Sequence, residues 1–146
     1  MTNPWKVRFA REFDREFGAL DEAVQIELVS HAEVLEQLGP NLGRPIVDTL
    51  RGSLYSNMKE LRFNADGGVW RVAFAFDPDS NGILLVAGNK ADLWGRNEKD
   101  FYKRLIGTAD ERFGAYVDRV GSAKRARQAD RRSDNPSPAP RGNKKK

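Results

Sequence analysis

No cysteine occurs anywhere in the 146 residues. Its absence excludes disulfides, zinc–thiolate centres and thiol nucleophiles, and it fits a reducing compartment. No apolar run approaches the roughly 20 residues that a membrane-spanning helix needs. The opening MTNPWKVRF carries no signal-peptide hydrophobic core, so the cytoplasm is the expected location and no membrane partner is expected. Histidine is almost missing as well. The single one, His31, falls on an apolar helical stripe and reads as a core-edge residue rather than a catalytic one. Large apolar residues vanish from about Gly121, where Ser, Pro, Arg and Lys take over. Such a segment cannot bury enough surface to offset its ordering entropy, so residues 121–146 are expected to form a disordered basic tail, with at most a turn or two of helix near Ala123, behind a domain of residues 1–120.

Charge follows the same division. The chain as a whole carries +4, yet residues 124–146 hold nine Lys or Arg against Asp130 and Asp134. The tail is therefore +7 and the remainder −3. Any affinity of the body for nucleic acid must come from local clustering of cations, not from its total charge.

What is present is organised around residues 57–91. Side chains alternate faces along a strand. In MKELRF, Leu61 and Phe63 share one face, while Met58, Glu60 and Arg62 share the other. In VWRVAFAF, the large apolar Trp70, Val72, Phe74 and Phe76 point toward a core. Val69, Arg71, Ala73 and Ala75 oppose them, so one long cation stands on a floor of small residues. The turn formers of Asn64–Gly68 and Asp77–Gly82 separate this strand from its neighbours. GILLVAG is apolar on both faces and delivers Lys90 to the rim of the sheet.

The rest of the chain supplies cover. Residues 5–9 read as an edge strand after Pro4. Phe9, Phe13 and Phe17 recur at a helical period. Gly18 suits a helix end and Asp21 an N-cap. Val24, Leu28, His31, Leu35 and Leu38 form the stripe of a second helix stopped by Gly39-Pro40. The two helices are expected as a hairpin across the apolar face of the sheet. Residues 40–56 read as a loop tacked down by Ile46, Leu50 and Leu54. Asn97 is a cap for a third helix, and Thr108–Glu111 is a capping box that either opens a further helix or lies inside one longer helix.

Strand, two helices, three antiparallel strands, helix: this order, with Glu60-Leu61-Arg62, Trp70-Arg71 and Gly88-Asn89-Lys90, resembles the RelE/ParE superfamily of bacterial toxins. The likeness is strongest to its HigB-like (phage Gp49-like) branch, over roughly residues 5–120. It implies an α+β fold: a small, mostly antiparallel sheet of about four strands, an N-terminal helical hairpin on one face, and a C-terminal helix or helices. It also implies the toxin of a type II toxin–antitoxin system. Its expected partners are a cognate antitoxin, often with a helix-turn-helix domain, and mRNA, cut on the ribosome or free of it.

Cleavage of RNA through its own 2′-hydroxyl needs a base, an acid and cations around the phosphorane, and it needs no metal or other cofactor. Arg71 is the first candidate for the cationic role and Arg62, on the same face, the second, because a guanidinium fork matches phosphate oxygens. Lys90 holds phosphate or exchanges a proton. Glu60 is the nearest candidate base, and Tyr102 resembles a tyrosine of the family. Trp94 could stack on a base; Arg96 and Lys59 complete the candidate RNA contacts, although Lys59 points to the other face of its strand. Each has a plainer reading: a surface ion pair for Glu60 and Arg62, core or lid positions for Trp94 and Tyr102, a solvated extension for the tail. Two other functions compete with endonuclease: a non-catalytic ParE-like inhibitor of DNA gyrase, and a basic RNA-binding module. Converging cations on one sheet face favour cleavage over gyrase inhibition. The RNA-binding module makes activity depend on residues 121–146.

Overall fold

The computed structural model describes residues 5–92 and 97–134. The chain divides into two compact units, residues 1–113 and 114–146. Residues 93–96, with Trp94 and Arg96, lie outside the described residues.

In the first unit, β1 (Lys6–Phe9) leads into α1 (Arg11–Gly18) and α2 (Glu22–Leu38). Strands β2 (Val47–Thr49), β3 (Met58–Ala65), β4 (Gly68–Phe76) and β5 (Asn81–Asn89) follow. They form one sheet in the order β1-β5-β4-β3-β2. Only the β1–β5 pair is parallel; β2–β3, β3–β4 and β4–β5 are antiparallel. The sheet thus has five strands, not about four. The additional strand is β2, inside the stretch read as a loop. Its run of Ile46, Val47 and Thr49 is β-branched, but only three residues pair, too few for alternation to register.

The helical hairpin lies on the expected face. Phe9, Phe13 and Phe17 form one ring cluster, with centroids 4.9–6.4 Å apart. Val24, Leu28 and Leu35 are buried with Leu61, Phe63, Val72, Phe74 and Leu84. Full burial of each such side chain contributes about 1.5–3 kcal/mol. His31 stacks on Phe63 at 5.2 Å and sits half-buried at the edge of this core. Leu38 and Leu54 depart from expectation: they are 47% and 85% exposed, so neither anchors its segment. Gly39 ends α2 at φ +55°, against the Trp5 indole, where a β-carbon would overlap the ring.

Helix α3 (Glu98–Asp134) opens with an Asn97 cap, whose side-chain oxygen accepts from the Asp100 N–H at 2.9 Å. Thr108–Glu111 lies inside this single helix. On the opposite face of the sheet from the hairpin, Gly88 lets α3 approach: a β-carbon there would stand 2.9 Å from Phe101 and 3.6 Å from Leu105.

The second unit corrects the expectation of disorder from residue 121. Its described part is helical to Asp134. Residues 122–132 are exposed all round, so burial does not hold this helix. Its composition does: Ala, Arg, Lys and Gln are among the best helix formers, and no proline occurs between Pro78 and Pro136.

Candidate RNA-cleavage site

The site is assembled by strand register. Arg62 and Arg71 are direct partners across β3 and β4, Glu60 pairs with Ala73, and Arg71 pairs with Gly88 of β5. Directly opposed residues point to the same side of a sheet. Glu60, Arg62 and Arg71 therefore share the face on which Phe101 and Leu105 of α3 meet Gly88. The Lys90 N–H donates to the Val69 carbonyl, which extends the pairing two residues beyond Gly88 and sets Lys90 on the same side. Asp48 joins them because it pairs with Glu60 across β2 and β3. The result is a cleft of about 380 Å³ lined by Asp48, Glu60, Arg62, Lys90, Glu98 and Tyr102, with Arg51 and Ile106 at its side.

Its centre is a buried ion pair. The Glu60 and Arg71 side chains are 7% and 9% exposed, and Glu60 Oε1 faces Arg71 Nε at 3.7 Å, beyond hydrogen-bond reach. Arg71 Nη1 donates to the Trp70 carbonyl at 2.9 Å, which fixes the guanidinium against its own strand. Arg62 bridges outward, with Nε 3.9 Å from Glu60 and Nη1 4.0 Å from Asp48. Asp48 also pairs with Arg44 at 3.2 Å. Lys90 pairs with Glu98 at 3.0 Å and stands 5.5 Å from the centre of the Tyr102 ring.

Burial pushes the Glu60 carboxyl above its ordinary range. The Tyr102 hydroxyl and the charges of Arg71 and Arg62 pull it down without winning, and Asp48 adds to the rise. Burial likewise raises the Tyr102 phenol; its hydrogen bond with Arg71 lowers it and Glu60 raises it further. Asp48, half-buried and bonded to Arg44 and the Thr49 N–H, is held below the usual carboxylate range. Burial thus biases both Glu60 and Tyr102 toward their protonated forms.

Five sequence candidates therefore meet: Glu60, Arg62, Arg71, Lys90 and Tyr102. Lys59 does not join them. It lies on the other face of β3, 3.5 Å from the Thr49 hydroxyl, beside a separate cleft with Arg44 and Asp48. Trp94 and Arg96 fall outside the described residues. Asp48 and Glu98 escaped the sequence reading; the β-branched run around Asp48 was the available signal. A further cleft of about 290 Å³ between β5 and α3, lined by Val86, Phe101, Arg104 and Leu105 among others, contains no such acid–base pair. Among the described residues no group of three or more His, Asp or Glu could hold a metal ion, and no helix is long and apolar enough to cross a membrane.

The sheet order and its flanking helices define a RelE-like α+β fold. A solved structure of a double mutant of the Escherichia coli toxin RelE in the free state shares it, with a TM-score of 0.50 at 13% identity over 73% of this chain and 95% of that one. The family model for phage-derived Gp49-like proteins matches residues 15–114, and the chain belongs to that family. Two proteins of Mycobacterium tuberculosis are similar to it. Putative toxin HigB2 is 46% identical over 104 residues, which is 70% of this chain and 50% of HigB2. Putative toxin HigB3 is 41% identical over 101 residues, 69% of this chain and 83% of HigB3. The chain thus spans half the length of the first of these relatives.

Proposed function

We propose that this chain is the toxin of a type II toxin–antitoxin system and that it acts as an mRNA endonuclease, with residues 1–120 as the toxin domain. The observation that carries the reading is the Arg62–Arg71 pair on one sheet face, directly beside Glu60 and Tyr102. A scissile phosphate set in that cleft would meet the Arg62 fork and the Lys90 ammonium, with the buried charge of Arg71 behind them, and these stabilise the charge of the phosphorane. Glu60 takes the 2′-hydroxyl proton as the 2′ oxygen attacks phosphorus. Its raised pKa brings it nearer the working pH, where a general base is most effective. Tyr102, kept protonated, gives its proton to the 5′ oxygen as the P–O5′ bond breaks. The products are a 2′,3′-cyclic phosphate and a free 5′-hydroxyl end, and solvent restores both side chains.

In the free protein the cations are held by carboxylates: Arg62 by Asp48 and Glu60, Lys90 by Glu98. Asp48 and Glu98 sit at the rim, so a phosphate can replace them without entering the core. The toxin names of HigB2 and HigB3 support a cognate antitoxin as partner. The ribosome is a further proposed partner, and Trp94 and Arg96 remain proposed RNA contacts.

The test is expression without the antitoxin, followed by mapping of RNA 5′ ends. Growth arrest with new mRNA ends is expected, and Arg71→Ala abolishes both. Arrest with intact mRNA and accumulating DNA breaks would replace this reading with gyrase inhibition.

A further inference from the structure

Helix α3 continues past the matched family region, and its residues 122–132 are all exposed. At 100° per residue, Lys124, Arg125, Arg127, Arg131 and Arg132 fall within an arc of about 160° that contains no acidic residue. Asp118 and Asp130 lie outside that arc; Ser122, Ala123, Ala126 and Ala129 occupy most of the remainder. The five cations are spread over about 12 Å of helix axis, at 1.5 Å per residue. Arg125 donates to Ser122 at 3.2 Å, a bond within its own turn.

The composition of the surface selects its partner. No apolar residue larger than Ala occurs from 121 to 134, so the helix lacks the buried anchor on which a protein interface depends. It has no aromatic ring either, so single-stranded bases have nothing to stack on. Four of the five cations are Arg, whose fork matches phosphate oxygens. A row of cations on one helical face complements a regular row of phosphates, which a nucleic-acid duplex presents and a single strand does not.

We infer that residues 121–132 of α3 form a docking surface for the phosphate backbone of double-helical RNA, distinct from the residues of the cleavage cleft. The preference for RNA over DNA rests on the proposed function; the duplex geometry does not. Such a surface holds the protein on structured RNA while the cleft works on an unpaired segment.

The experiment uses the full chain in an Arg71→Ala background, so that binding is measured whether or not the protein cuts. Affinity for a 20-base-pair RNA duplex is followed by fluorescence anisotropy across 50–200 mM KCl, with circular dichroism as the check on helix content. The variant K124Q/R125Q/R127Q/R131Q/R132Q should weaken binding and flatten the slope of log Kd against log salt by up to about 4.5, at about 0.9 for each phosphate that the helix no longer neutralises. A second variant exchanges Lys124 with Ala123 and Arg127 with Ala126. It keeps the net charge but scatters the face, and at 50 mM KCl its affinity should fall at least tenfold. An unchanged slope in the first variant overturns the proposal, as does undiminished affinity in the second, which would make the segment a mere polycation. A DNA duplex bound tenfold more tightly than RNA overturns the RNA assignment. Loss of antitoxin binding with duplex binding intact would make the surface a protein interface instead. Cleavage of a short single-stranded RNA by the five-Gln variant with Arg71 restored tests the cleft independently.

Discussion

Replacing Glu60 with Gln should make the protein both more stable and inactive. Gln has the shape of the protonated carboxyl but cannot ionise. In the folded protein Glu60 is harder to ionise than in the unfolded chain, because burial outweighs the pull of Tyr102, Arg71 and Arg62. A carboxyl whose folded pKa is raised stabilises the fold in its neutral form. That contribution is present below the unfolded value of 4.5 and is lost as pH rises through the higher folded pKa. Wild type and Gln variant should therefore unfold together below about pH 4.5 and diverge above it, with the variant ahead at pH 7. The rival effect is the loss of a counter-charge for Arg71, which for a tightly bonded buried pair would cost about 3–5 kcal/mol. Here the pair stands at 3.7 Å with no hydrogen bond between the facing atoms, and Arg71 keeps its bond to the Trp70 carbonyl. An unbonded buried polar group costs about 1–3 kcal/mol, and the Gln amide can turn its oxygen toward Arg71, so a gain near the lower end, about 1 kcal/mol, is expected. In a chain of this size that is about 4 °C in Tm. Loss of the general base should slow cleavage by about 10²–10⁴. Calorimetry from pH 4 to pH 8, together with single-turnover cleavage of a model RNA, reads both quantities. A Gln variant that melts below wild type at pH 7 would refute the electrostatic argument, and one that retains a tenth of the cleavage rate would refute the assignment of the base.

Three further substitutions probe the frame around that pair. Tyr102→Phe removes one of the pulls that hold the Glu60 carboxyl down, so the acid limb of the pH–rate profile should move to higher pH while the rate falls about 10²-fold; an unmoved limb counts against the hydrogen bond between them. Gly88→Ala brings a β-carbon to 2.9 Å from Phe101 and should cost about 1–3 kcal/mol in calorimetry, with partial recovery on adding Phe101→Leu. Arg112→Ala removes a two-pronged bond to Glu16, at 2.6 and 2.7 Å, and a 2.8 Å bond to the Leu85 carbonyl. It should cost about 1.5–3 kcal/mol and speed hydrogen exchange along the second half of β5; exchange that changes only at Glu16 would show that the Leu85 bond contributes nothing.

The alternation in β3 and β4 was legible because both strands are long and one face of each is plainly apolar. Arg62, Arg71 and Glu60 could be assigned to one surface from parity alone, and the register sets them on one side. The helical hairpin was legible for the same reason: its apolar spacing is regular, and Gly39-Pro40 marks its end. Strand β2 was not. It is three residues long and is held by pairing with β3 rather than by a pattern of its own, so Asp48 entered the site unannounced. The extension of α3 was missed for a different reason. Composition said that this segment has no core to join, and residues 122–132 are indeed exposed; but helix propensity does not require a core, and the run of Ala, Arg and Lys outweighed the missing burial.

Lys90 presents the subtlest case, because simple parity along β5 would have sent it to the wrong face. Phe76, Ala75 and Phe74 pair with Gly82, Ile83 and Leu84, but Ala73 pairs with Val86, so Leu85 is left over as a bulge. A bulge shifts every later residue to the other side of the sheet. Before it, Leu84 sits on the side of Phe74 and the helical hairpin. After it, Val86 and Gly88 sit on the side of Arg71, with Lys90 beyond them. One strand can thus serve the hairpin core with its first half and the cleft with its second. The carbonyl of the extra residue needs a partner, and Arg112 of α3 provides it while Glu16 of α1 holds the guanidinium in place. The Glu16 carboxylate also keeps Arg112 firmly charged. Elements on opposite faces of the sheet are therefore tied together at the one residue that sets the facing of Lys90. Nothing in GILLVAG announces an extra residue, since a strand apolar on both faces looks the same in either register. The third cation of the site depends on bonds between residues 27 and 96 positions apart in the chain, and only the folded molecule brings them together.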